Sequence, residues 1–102
     1  ISETLNRSIM SCDYEIRPEL FKNVVLSGGN TLFPGFGERV LQNLSDLSPA
    51  GVEVEVSASA GRETLAWKGG SLLSSLSTFN SEWISRAEYE EYGASIVHKK
   101  CF

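Results

Sequence analysis

Ile1, Leu5 and Ile9 recur at i, i+4 and i+8, which is the spacing of one helical face. Ser2 and Glu3 stand where a first turn favours caps and acids, so the pattern predicts a short amphipathic helix from about Ser2 to Met10. Ser11-Cys12-Asp13 breaks it. Arg17-Pro18-Glu19-Leu20-Phe21 reads as one helical turn with its proline near the start, where the missing N–H is least costly. The β-branched run Asn23-Val24-Val25-Leu26-Ser27 ends at Gly28-Gly29 and predicts a buried strand of parallel-sheet character. After that turn Phe36, Val40, Leu41, Leu44 and Leu47 repeat at helical spacing between Pro34-Gly35 and Pro49, the strongest helix signal in the chain. Val52-Glu53-Val54-Glu55-Val56 alternates strictly, so a strand should carry its valines on one face and its carboxylates on the other.

Beyond the small, turn-like residues Ser57 to Gly61, a helical pattern runs from Thr64 to Leu76 through Leu65, Leu72, Leu73 and Leu76. Gly69-Gly70 interrupts it. Each glycine costs a helix about 1 kcal/mol against alanine, so the pair predicts something packed closely there. Arg86 to Tyr92 reads as a short charged helix with Arg86 and Glu90 at i, i+4. No internal repeat or linker is visible.

The chain has 102 residues, of which 41% are hydrophobic and 22% charged, enough for one small domain with a core. Its net charge is −4 and its longest basic run is Lys99-Lys100, which argues against nucleic-acid binding by phosphate neutralisation. Apolar stretches such as Asn23 to Leu26 fall far short of the ~20 residues of a membrane span, and no charged leader precedes one. Neither a span nor a signal peptide is expected. Cys12 and Cys101 lack metal-site spacing and read as reduced thiols of a cytosolic or nuclear protein. The chain starts at Ile1 instead of methionine, as a processed chain or a piece of a longer one would.

Candidate chemistry is sparse. A strand that turns through Ser27-Gly28-Gly29-Asn30-Thr31 into a helix is either an anion cradle or a plain connection. It matches neither common phosphate-loop pattern. His98, the single histidine, has no neighbouring carboxylate to tune it. Glu88, Glu90 and Glu91 read as a solvated face, and Trp67 and Trp83 as packing anchors, with Trp67 beside Gly69-Gly70 able to wall a groove. No complete active site is present.

The string Leu26-Ser27-Gly28-Gly29-Asn30-Thr31-Leu32-Phe33-Pro34-Gly35 resembles the Leu-Ser-Gly-Gly-x-Thr-x-aromatic-Pro-Gly signature of actin and the actin-related proteins. Trp67-Lys68-Gly69-Gly70-Ser71, Leu76-Ser77-Thr78-Phe79, Trp83-Ile84-Ser85, Glu88-Tyr89 and Ile96 to Phe102 are similar to actin's C-terminus in the same order. The resemblance covers the whole chain. It implies an α/β, actin-like (ribonuclease-H-like ATPase) fold present as an incomplete C-terminal fragment, with residues 1–64 part of subdomain 3 and residues 65–102 the C-terminal part of subdomain 1. The family's phosphate-binding hairpins lie upstream, so no catalytic residue is expected here and enzymatic activity is left open.

The resemblance further implies a fragment of a nucleotide-binding cytoskeletal or scaffold protein. Its parent would bind ATP or ADP with a divalent cation, and the isolated fragment would bind none. Gly28 and Gly29 match the nucleotide cleft, Leu32 and Phe33 match the residues flanking the adenine where actin has Met and Tyr, and Glu63 stands where actin has a lysine near the nucleotide. Ala60-Gly61 replaces the Pro-Glu that precedes the shared Arg62. Leu72, Leu73, Leu76 and Thr78 fit the groove where partner helices insert, while Lys68 and Glu82 replace an apolar residue and a methionine. The implied partners are actin-family subunits or actin-binding proteins, with no nucleic acid and no membrane, in the cytoplasmic cytoskeleton or the nucleus. These departures point to a divergent actin or actin-related protein. The alternative is a non-ATPase actin-related subunit that serves as a structural module in a nuclear or sperm-head assembly.

Overall fold

Residues 1–101 are described in the computed structural model. They fall into two compact units, Ile1–Ala66 and the residues from Trp67 onward.

In the first unit, helix α1 (Ser2–Met10) buries Ile9 and partly buries Leu5, whereas Ile1, at the N-cap, is exposed. Helix α2 (Arg17–Lys22) carries Pro18 in its first turn and buries Phe21 completely. Strand β1 (Val24–Val25) then pairs in parallel with β2 (Val56–Ser57), Val24 opposite Val56 and Val25 opposite Ser57. Helix α3 (Phe36–Leu47) makes the crossover between them, the connection that parallel neighbours require. Ile9, Phe21, Val24 and Leu44 form the core, with Leu5, Leu20, Val52, Val54 and Val56 packed on it.

Both strands are shorter than the hydrophobic pattern predicts. The alternation at residues 52–56 is real, since the three valines face the core while Glu53 meets Lys22 at 2.9 Å on the wet side. Ladder hydrogen bonds form only where the segments converge: Val24 N–H donates to Glu55 at 3.3 Å and Leu26 N–H to Ser57 at 2.9 Å. Glu55 N–H is taken by the Phe21 carbonyl at 3.0 Å, at the end of α2. Only one face of β1 is covered, so Val25 is exposed, against the expectation of a strand buried on both sides.

The second unit holds most of α4 (Leu65–Ser75), a 3₁₀ segment Ser77–Glu82, α5 (Arg86–Tyr92), a second 3₁₀ segment Gly93–Ile96 and α6 (Val97–Lys100). Ile96 is its one buried large hydrophobic among the described residues. The close packing expected at Gly69-Gly70 is not found, because a Cβ at either position would meet nothing within 4 Å. Trp67 and Trp83 are exposed and do not anchor a core, although Trp83 stacks edge-on against Phe79 at 5.2 Å. Arg86 and Glu90 pair at 2.8 Å, as their spacing predicts.

Glu88 corrects the reading of its cluster as a merely solvated face. Ser85 and Glu88 form a capping box at the start of α5, which satisfies amides that the helix itself cannot. The Glu88 carboxylate also meets Lys100 at 2.8 Å. Lys100 donates to the carbonyls of Ser81 at 3.1 Å and Trp83 at 2.6 Å. The last helix is thereby tied to the loop before α5. Among the described residues no helix is long and apolar enough to cross a membrane.

Candidate functional site

The first candidate site is the turn that leaves β1. Gly28 adopts φ 95°, a left-handed value that a side chain strains, and it bends the chain into the 3₁₀ turn Gly29–Leu32. Within the turn Thr31 N–H donates to the Gly28 carbonyl at 3.0 Å and the Thr31 hydroxyl donates to the same oxygen at 2.7 Å. Thr31 is buried. The spaces over Gly28 and Gly29 are open, with nothing within 4 Å of either would-be Cβ. Leu32 and Phe33 follow as exposed apolar side chains.

A second segment holds this turn from the side. Gly61, left-handed at φ 74°, opens the 3₁₀ turn Arg62–Thr64. The Arg62 carbonyl accepts from Gly28 N–H at 2.9 Å and from the Ser27 hydroxyl at 3.4 Å. Its guanidinium reaches back the other way. Nε donates to Thr31 Oγ1 at 3.0 Å, one terminal nitrogen to the Thr31 carbonyl at 2.8 Å, and the other to the carbonyls of Ala58 and Ser59 at 3.2 Å each. Every one of these acceptors is neutral. Among the described residues no carboxylate pairs with Arg62.

Leu32, Phe33 and Arg62 line one cleft of about 330 Å³ together with Val56, Ala58 and Glu38. Gly28, Gly29 and Glu63 are not in its wall. Glu63 is exposed, on the same 3₁₀ turn as Arg62. The sequence reading noted Arg62 only as a shared residue and missed its grip on the glycine turn. The available signal was an arginine set directly after a run of small residues, Ser57 to Gly61, whose bared carbonyls a guanidinium can collect.

The second candidate site lies in the second unit. Leu73, Thr78 and Glu82 line a cleft of about 530 Å³ with Phe79, Lys100 and Cys101. Leu72 and Leu76 are exposed but outside that lining, as is Lys68. No ion pair joins Lys68 to Glu82 among the described residues. Lys100 is already committed to Glu88 and two carbonyls, so among the described residues the Glu82 carboxylate is the open charge of this cleft. There it accepts from the Ser81 hydroxyl, at 3.3 Å, and from no other described side chain.

Two titrations follow from these contacts. The hydrogen bond from Lys100, helped by the Ser85 amide and hydroxyl, lowers the Glu88 carboxyl from 4.5 to about 2. The hydrogen bond and charge of Glu53 raise Lys22 above its ordinary value. Cys12 and Cys101 are free thiols, and no group of three or more His, Cys, Asp or Glu is assembled among the described residues.

The glycine turn, its arginine staple and the flanking Leu-Phe pair fall within one continuous family match. A family model described as Actin covers residues 1–102, the entire sequence. The chain belongs to the actin family.

Proposed function

We propose that these residues form one wall of an adenine-nucleotide site and one side of a partner groove in a longer actin-like protein. In this reading residues 1–64 serve as part of subdomain 3 and residues 65–102 as the C-terminal part of subdomain 1. The observation that carries the nucleotide half is the Gly28–Thr31 turn, open over both glycines with exposed Leu32 and Phe33 beside it. Glycines without a covering side chain let a ligand approach the backbone, and flat apolar surface suits a purine face. The fit is to the nucleoside end of the ligand. The divalent cation finds no ligand set among the described residues, so its carboxylates would come from elsewhere in the longer chain. Bound ATP supplies a phosphoanhydride; the residues here bind and orient.

Glu63 sets the strength of that binding. A carboxylate on the turn beside the nucleotide repels phosphate where a lysine would attract it, and close charges in a partly desolvated site are worth on the order of 1–4 kcal/mol. Calorimetric titration of ATP into the full natural chain tests this. Glu63→Lys should tighten ATP by at least about fivefold, and unchanged or weaker affinity in that variant would sink the reading.

The exposed Glu63 carboxylate also favours a second reading, a non-ATPase structural subunit of a nuclear or sperm-head assembly. Under it neither the natural protein nor Glu63→Lys binds ATP, and the protein is nuclear or assembly-bound. Under the first reading it is cytoplasmic and cytoskeletal. In both, the groove at Leu73, Thr78 and Glu82 takes an apolar helix of an actin-family subunit or actin-binding protein.

A further inference from the structure

We infer that Arg62 is a positioning residue for the glycine turn, acting on a bound adenine nucleotide through Thr31 and Gly28 and not by contact of its own charge. The inference rests on the nucleotide reading above. Arg62 has five N–H donors, and four contacts to Thr31 Oγ1, the Thr31 carbonyl, Ala58 O and Ser59 O occupy them nearly completely. One terminal N–H is left over, too few for a bidentate grip on a phosphate unless part of that set is given up. Thr31 is the hinge of the arrangement, because its hydroxyl accepts from Arg62 Nε while donating to the Gly28 carbonyl. The Arg62 carbonyl simultaneously fixes Gly28 N–H at 2.9 Å. One residue therefore grips the turn at both ends, through its main chain and its side chain. Gly28 lacks a side chain and sits at φ 95°, so its conformation depends on the hydrogen bonds of its own N–H and carbonyl, which Arg62 and Thr31 supply.

Arginine is specifically required for this geometry. A lysine would keep the positive charge but offer one nitrogen where the planar fork reaches four separate oxygens. Charge and positioning can therefore be separated by experiment.

The test compares natural protein, Arg62→Lys, Thr31→Val and the double variant. Two quantities are measured in each: hydrogen exchange at the Gly28 and Thr31 amides, and affinity for ATP by titration. Positioning predicts that Arg62→Lys and Thr31→Val each speed exchange at both amides by about tenfold or more and weaken ATP by a similar factor. The double variant should be little worse than either single one, since both cut the same link. Arg62→Lys exchanging and binding like the natural protein, with Thr31→Val still impaired, would overturn the inference and make Arg62 a charge. Unchanged exchange in both single variants would overturn it too. Should the natural protein bind no ATP, the nucleotide reading fails, while the exchange data still decide whether Arg62 fixes the turn.

Discussion

Glu63 and Arg62 are neighbours with opposite charges, yet the hydrogen bonds divide their tasks. Arg62 spends its donors on neutral oxygens of its own unit, whereas the Glu63 carboxylate stands exposed on the same turn. Packing divides the leucines as sharply. Leu44 is fully buried in the first unit's core, so Leu44→Ala should cost about 2–5 kcal/mol in denaturant unfolding. Leu72 is 67% exposed, so Leu72→Ala should change stability by less than about 0.5 kcal/mol. Equal losses at the two sites would mean that α4 is covered by something in the natural protein. Spacing alone nominates Val40 and Leu44, which are buried, but also Leu41 and Leu47, which are exposed. The Arg62 network was not legible in the sequence, since it spans 31 residues and depends on two left-handed glycines that no periodicity reveals.

Helices depend on contacts within their own segment, and those at Ser2–Met10, Phe36–Leu47 and Arg86–Tyr92 match their patterns, whereas both strands shrink to two residues, because a strand's length depends on a partner that lies elsewhere in the sequence. The 3₁₀ segments carried no comparable signal. Helix α4 offers a direct test of its glycines. With open space at both Cβ positions among the described residues, Gly69→Ala or Gly70→Ala should each stabilise α4 by about 1 kcal/mol, read from slower amide exchange in that helix. A loss instead would reveal a close neighbour. At the start of α5, the sign of the pH effect follows from Glu88. Its folded pKa is depressed, so its contribution is present above 4.5 and is lost as pH falls toward about 2. Protection factors of the α5 amides, measured relative to intrinsic exchange at each pH, should therefore fall across that window, and Glu88→Gln should remove the change. Protection in the natural protein that stays constant across the window would contradict the Lys100–Glu88 tie. In the adjoining cleft, Glu82→Met should strengthen binding of an apolar helix, because desolvating an open carboxylate is costly. With no Lys68–Glu82 pair to break, Lys68→Ile and Glu82→Met should add without coupling in a binding titration.

The whole chain divides into two units of very different character. The first has a core built on Phe21 and Leu44, while Trp67, Leu72, Leu73, Leu76 and Trp83 lie exposed in the second. Apolar area left wet forfeits ~25 cal/mol per Å², so the 102 residues alone should associate or unfold without a single cooperative transition. A monodisperse monomer with one sharp thermal transition would contradict this. Membership of the actin family was legible from ordered motifs spread over the full length, and those motifs also nominated the glycine turn. How the turn is held came only from the structure. If this turn and its Leu-Phe flank face an adenine nucleotide, as proposed above, photolabelling will register the contact. An azido-adenine analogue of ATP, irradiated on the full natural protein, should attach within residues 28–36 and be displaced by excess ATP. Label that lies wholly outside that segment, or that ATP does not displace, would contradict it.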